Sequence, residues 1–132
     1  MEKLLQKKEM LYRAIKRSKP DWLDDLGKPT PYMYKDADGN SVDRDGNRDL
    51  EEIISFMDNG VFKKRLKGVV EVNAGVCMDI GATVIEAAND ENPYHANIFI
   101  SEDDMIGPIQ SLMIADASKV VYMNKKMSWV YL

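Results

Sequence analysis

The chain has 132 residues, 45% hydrophobic and 30% charged, with a formal net charge of −4 from 18 basic and 22 acidic side chains. That balance excludes wholesale disorder and suits one domain with a core of its own. The mild acidic excess argues against general nucleic-acid binding, which runs on clustered Lys and Arg, and the single cysteine excludes an internal disulfide. The opening MEKLLQKKEM has no apolar core of signal-peptide length. No apolar run approaches the roughly 18 residues of a spanning helix. The expectation is a soluble, cytoplasmic protein without membrane attachment.

In chain order, Leu4, Leu11 and Ile15 share one helical face, while residues 10–15 also alternate as a strand. The expectation is a short helix running into a strand at about Met10. Pro20 breaks that element, Trp22 and Leu23 anchor a short helical turn, and Gly27, Pro29 and Pro31 make an extended loop. Residues 32–35 and 41–43 flank a loop at 36–40 and are expected to form a hairpin, with a second turn at Asp45-Gly46-Asn47. Asp49 followed by Glu52 is a capping-box pattern. Leu50, Ile53, Ile54 and Met57 then recur at helical spacing, and Asn59-Gly60 is a stop, so residues 49–59 are expected to be helix.

A basic joint at 63–67 leads to three β-rich runs, 69–73, 76–80 and 83–87, read as strands punctuated by Gly75 and Gly81. Residues 95–100 are a further strand. Gly107-Pro108 marks a helix start, with Ile109, Leu112, Met113 and Ala117 as its expected buried stripe. Residues 119–123 and 128–132 are the last expected strands. Strands and helices out of strict alternation predict a single α+β domain over residues 1–132, with a mixed or mainly antiparallel sheet and two to three helices.

Four sets of residues carry chemistry worth weighing. Residues 36–47 alternate Asp, Asn and Gly as a calcium loop would, but no register supplies the bidentate glutamate of an EF-hand. Turn chemistry explains the same composition, and no metal or cofactor is expected. Cys77 sits in an apolar run with no nucleophile signature, so it reads as core. His95, the sole histidine, begins a strand beside Tyr94 and Asn97 and is the acid–base candidate. Arg13, inside the apolar run Leu11-Tyr12-Arg13-Ala14-Ile15, must be paired or face a ligand. Arg44 follows Ser41-Val42-Asp43, and convergent arginines bind phosphate bidentately.

Leu11 to Ile15, Trp22, Lys28-Pro29-Thr30, Tyr34-Lys35, Gly39, Ser41 to Arg44, and Asn92 to Ile98 together resemble a family of small bacterial proteins of unassigned activity. That resemblance implies a bacterial or phage source. It singles out Arg13, Ser41, Asp43, Arg44 and His95. An arginine in an N-terminal strand ahead of a serine-containing strand is also similar to ADP-ribosyltransferases, although their catalytic glutamate has no match here. Two function classes follow. The first is a non-catalytic interaction or regulatory protein with a protein partner or a second copy. It is favoured by small size, few catalytic residue types and nine methionines. The second is a small enzyme or sensor for a nucleotide or other phosphate, with Arg13, Ser41 and Arg44 binding the ligand and His95 and Asp43 as catalytic candidates.

Overall fold

β1 (Met10–Lys16) is buried along five of its seven residues, because both its faces and both its edges are covered. In the computed structural model, which describes residues 5–131, the further elements are β2 (Asn40–Arg44), α1 (Leu50–Asn59), β3 (Leu66–Asn73), α2 (Ala74–Asp79), β4 (Thr83–Glu86), β5 (His95–Phe99), α3 (Ile106–Asp116) and β6 (Lys119–Met123). The six strands form one sheet in the order β4-β5-β2-β1-β3-β6, with every pairing antiparallel. The expected single α+β domain is what the chain forms.

Alternation along β1 divides the core in two. Leu11 and Ile15 join Val42, Val70, Val72, Val84, Ala96 and Ile98 on one face, under Cys77 of α2, Ile114 and Ala115 of α3, and the side chains of Trp22, Met33 and Tyr34. Tyr12 and Ala14 turn to the other face, where Leu66 and Val69 meet Ile53 and Met57 of α1. That helix is capped as its sequence predicts: the Asp49 side chain accepts from Glu52 N at 2.8 Å, and Asp49 N donates to the Glu52 side chain at 3.4 Å. The second cluster stops at β1. Ser41, Asp43, His95 and Asn97 on β2 and β5 stand outside it, so part of this sheet face is left for other uses.

Several expected elements differ. Ahead of β1, residues 5–9 are a turn rather than a helix. The carbonyls of Lys7 and Glu9 are taken by α2, with Ala74 N donating to Glu9 O and Gly75 N to Lys7 O; residues 2–4 of the expected helix lie outside the described residues. Residues 32–35 do not pair with β2. Pro31 starts a 3-10 turn, Pro31–Tyr34, that buries Met33 and Tyr34 in succession, which a half-buried strand cannot do. Residues 76–80 belong largely to α2, since Asn73 caps it by accepting from Val76 N at 3.0 Å. Residues 128–131 form no strand, and Leu132 lies outside the described residues. Lys67 draws the chain off the sheet edge, donating to Asn124 O and Met127 O at 2.8 and 2.6 Å, and Val130 N donates to Arg17 O.

The largest difference is in α3. Ile109, Leu112, Met113 and Ala117, expected inside, all face outward, while Gly107, Gln110, Ser111, Ile114 and Ala115 are buried. Hydrogen bonding and close approach select that face. Ser111 Oγ donates to Tyr34 O at 2.8 Å, and Gln110 Oε1 accepts from Ser101 N at 2.7 Å. A Cβ on Gly107 would sit 2.5 Å from the Ser101 carbonyl oxygen.

Candidate functional site

β1 pairs with β3 at seven positions but with β2 at only two, Leu11 with Arg44 and Tyr12 with Asp43. Beyond Tyr12 the two strands part, and Arg13 fills the gap. Its Nε donates to Met33 O at 2.9 Å, and one terminal nitrogen donates to Ser41 O, a carbonyl that a continued ladder would have paired. The guanidinium lies 4.5 Å from the Trp22 ring centroid and 5.6 Å from that of Tyr34. Burial pulls its pKa down to about 10, opposed by Tyr34 and Asp36, so it stays charged at neutral pH.

A cavity of about 470 Å³ opens where the strands part. Arg13, Lys16, Lys19, Lys35 and Arg65 line it, against the single carboxylate of Asp36. None of these five cations is in an ion pair among the described residues. Lys35 and Arg65 instead lie over Tyr32 and Phe62, at 4.9 and 5.8 Å. Burial, then the positive charges of Arg13, Arg65 and Lys19, hold the Lys16 ammonium below the ordinary lysine range.

Asp43 and His95 are register partners across β2 and β5. Together with Tyr12, Asn92 and Ser41 they line a second pocket of about 210 Å³. Asn92 Nδ2 donates to Asp43 Oδ1 at 2.8 Å, and an Arg48 terminal nitrogen stands 3.5 Å from Oδ2. Burial outweighs both, together with the more distant His95, and holds the Asp43 carboxyl above the ordinary carboxylate range. Arg48 is pinned by the Asp45 and Arg44 carbonyls and lies 3.5 Å over the Tyr94 ring. Gly46, at φ +59°, permits this arrangement because the Tyr94 ring occupies the space of a Cβ. His95 Nδ1 is 3.1 Å from Ala87 O.

Arg44 lies elsewhere. It forms a fork with both Glu9 oxygens at 2.8 and 2.9 Å and reaches Glu86 at 3.2 Å. The hydrogen bonds to Glu9 lead in raising its pKa above the usual arginine value. Thus Asp43 and His95 share a pocket, Arg13 lines the basic cavity, Ser41 borders both, and Arg44 borders neither. Sequence reasoning passed over Lys16, Lys19, Lys35 and Arg65 as cavity residues, and Asn92. The basic run at 63–67 was the visible signal for Arg65; nothing local in the sequence brings it beside Lys16.

The remaining candidates have local explanations. Within 36–47, Asp36 accepts from Asp38 N, Asn40 Nδ2 donates to the Asp36 and Ile98 carbonyls, and Asp45 accepts from Asn47 N. Among the described residues no group of three or more His, Cys, Asp or Glu side chains gathers as metal ligands would. Cys77 is buried on α2, and desolvation pushes its thiol up to about 12, which suits core rather than a nucleophile. No helix among the described residues is long and apolar enough to cross a membrane.

No family model matches the chain, no curated protein matches it, and no solved structure matches it. The functional reading accordingly rests on geometry.

Proposed function

We propose that this is a small cytoplasmic interaction protein that docks a protein partner on the outer face of α3. The observation that carries the reading is the inverted helix: Met105, Ile106, Ile109, Leu112 and Met113 are between 48 and 77% exposed. A contiguous apolar helix face left in water favours a partner, and two of its five residues are methionines, which adapt to irregular surfaces. Acidic residues stand at both ends, Glu102, Asp103 and Asp104 before the helix and Asp116 at its close, against Lys119 alone. The charge pattern fits an apolar partner surface rimmed by lysine or arginine. A second copy of this chain would set carboxylates against carboxylates. A bacterial or phage source and a cytoplasmic setting belong to the same proposal, and the buried, protonated Cys77 is compatible with them.

The test is a photo-crosslinking residue at Leu112 in cells expressing the whole chain. The expected result is one discrete adduct with a partner of basic surface, abolished by Ile109→Glu. Crosslinking only to other copies of the chain, with a dimer seen by light scattering, would overturn the heterologous reading. Adducts unaffected by Ile109→Glu would remove α3 from the interaction altogether.

A further inference from the structure

A separate set of residues, away from the exposed face of α3, lines the cleft between β1 and β2. We propose that the cleft between the parted strands β1 and β2 binds a small phosphate ester of nucleoside size, with its phosphate among Arg13, Lys16 and Arg65 and its organic part reaching toward Asp43 and His95.

Three observations support it. Five cations converge on one cavity of a chain that is acidic overall, with only Asp36 among them. Like charges so placed repel one another, and the cheapest neutraliser is an anion that accepts from several donors at once. Arg13 gives the cavity a fixed donor rather than a waving one: it is buried and held by two carbonyls, and Nη2 has no hydrogen bond among the described residues. A planar guanidinium held this way suits a phosphate better than a flexible ammonium does.

The third observation concerns length. Ala14, Ser41, Val61 and Phe62 line both the basic cavity and the Asp43–His95 pocket, so the two adjoin, and together they make up the proposed cleft. Lys16 and Tyr12 mark its ends on β1, four residues or about 13 Å apart at strand rise. Inorganic phosphate would occupy one end only. A nucleoside phosphate spans the distance, its ring passing beneath Val61 and Phe62. The pocket beyond, about 210 Å³ and lined by Tyr12, Asn92 and His95, is of base size and too small for a protein side chain cluster.

Titration calorimetry on the whole chain tests this, using ADP, inorganic phosphate and adenosine at low and moderate salt. ADP is expected to bind one to one, about tenfold more tightly than phosphate or adenosine, and to weaken as salt rises. Lys16→Gln and Arg65→Gln each remove one cation that has no ion pair among the described residues, and are expected to weaken ADP about fivefold while leaving the melting temperature of the free chain unchanged or higher. The proposal falls if ADP binds no better than phosphate, or if both variants bind it as the parent does. It also falls if a single-stranded oligonucleotide binds more tightly than ADP, since the cleft would then be an open strand track. Should either variant fail to fold, the rise in parental melting temperature with ADP over sodium chloride of equal ionic strength gives the answer instead.

Discussion

At the scale of single residues, the buried polar groups do more to define this molecule than the apolar ones. Arg13 replaces the ladder hydrogen bonds that β1 and β2 do not make. Arg13→Ala is therefore expected to cost roughly 3 kcal/mol, from two lost charge-assisted hydrogen bonds and two stranded carbonyls. Urea titration of parent and variant measures it, and a loss below about 0.5 kcal/mol, the range of ordinary surface changes, would mean that the gap closes without the guanidinium. Tyr34 is fully buried, and its hydroxyl shares a hydrogen bond with Ser118 Oγ at 2.9 Å. Desolvation pushes its pKa up to about 12, against the Ser118 hydrogen bond and the Arg13 charge. The folded value exceeds the unfolded value of about 10, so the folded state holds this proton more tightly. The contribution is fully present below pH 10 and is lost as pH rises through 12. Stability measured from pH 8 upward should fall more steeply above pH 10 in the parent than in Tyr34→Phe, and parallel curves would clear this phenol of responsibility.

At the scale of elements, α3 inverts the usual weighting of inside and outside. Ile109→Ser and Leu112→Ser remove apolar side chains already more than half in water, and each is expected to change stability by no more than about 0.5 kcal/mol. Ser111→Ala removes a buried hydroxyl that donates to Tyr34 O and should cost about 1 kcal/mol or more. Thermal or urea melts of the three variants give the ranking, and the opposite order would mean that the helix sits the other way round. This element also shows where sequence reasoning stopped. α1 was legible because its signals are local: a capping box, a helical stripe and a stop within eleven positions. The α3 stripe was legible as a stripe but not as to which side it faces. The choice was made by Gly107 against Ser101 and Ser111 against Tyr34, contacts with residues six and 77 positions away. α2 was misjudged because Val76, Cys77 and Met78 favour a strand by composition, while the cap from Asn73 outweighs them over one short turn. The candidate site was half legible. Charge inside an apolar run marked Arg13, placement at a strand start marked His95 and the resemblance picked out Asp43, but the convergence of Lys16 and Arg65 depends on how β1, β3 and the chain after α1 are joined.

At the scale of the whole molecule, the strand order explains why those joins are hard to foresee. Of the five pairings in the sheet, only β1–β2 and β4–β5 join strands that are consecutive in the chain. β2 takes β5 as its outer partner, and β3 takes β6, each across two helices, two strands and more than 40 residues of chain. The functional surfaces follow this plan. α1 covers the sheet over β1 and β3 and leaves β2 and β5 open, which is where the Asp43–His95 pocket lies; α3 closes the opposite face and turns its apolar side outward. The Asp43–His95 end of the cleft and a partner on α3 would thus lie on opposite faces of one sheet, while the basic end, with Arg13 against Trp22 and Tyr34, passes through the gap between β1 and β2.

The central position of β1 also bears on how the chain is made. Its seven residues emerge before the other strands of the sheet, yet the partners on its two edges, β2 and β3, end at Arg44 and Asn73. Until the second of these has cleared the exit tunnel, an apolar segment with at least one open edge waits in the cell. Folding must therefore close loops of tens of residues before this buried strand gains anything, which places refolding in the slow class of milliseconds to seconds. A nascent chain halted near residue 60 should be a chaperone client, protected by nothing of its own.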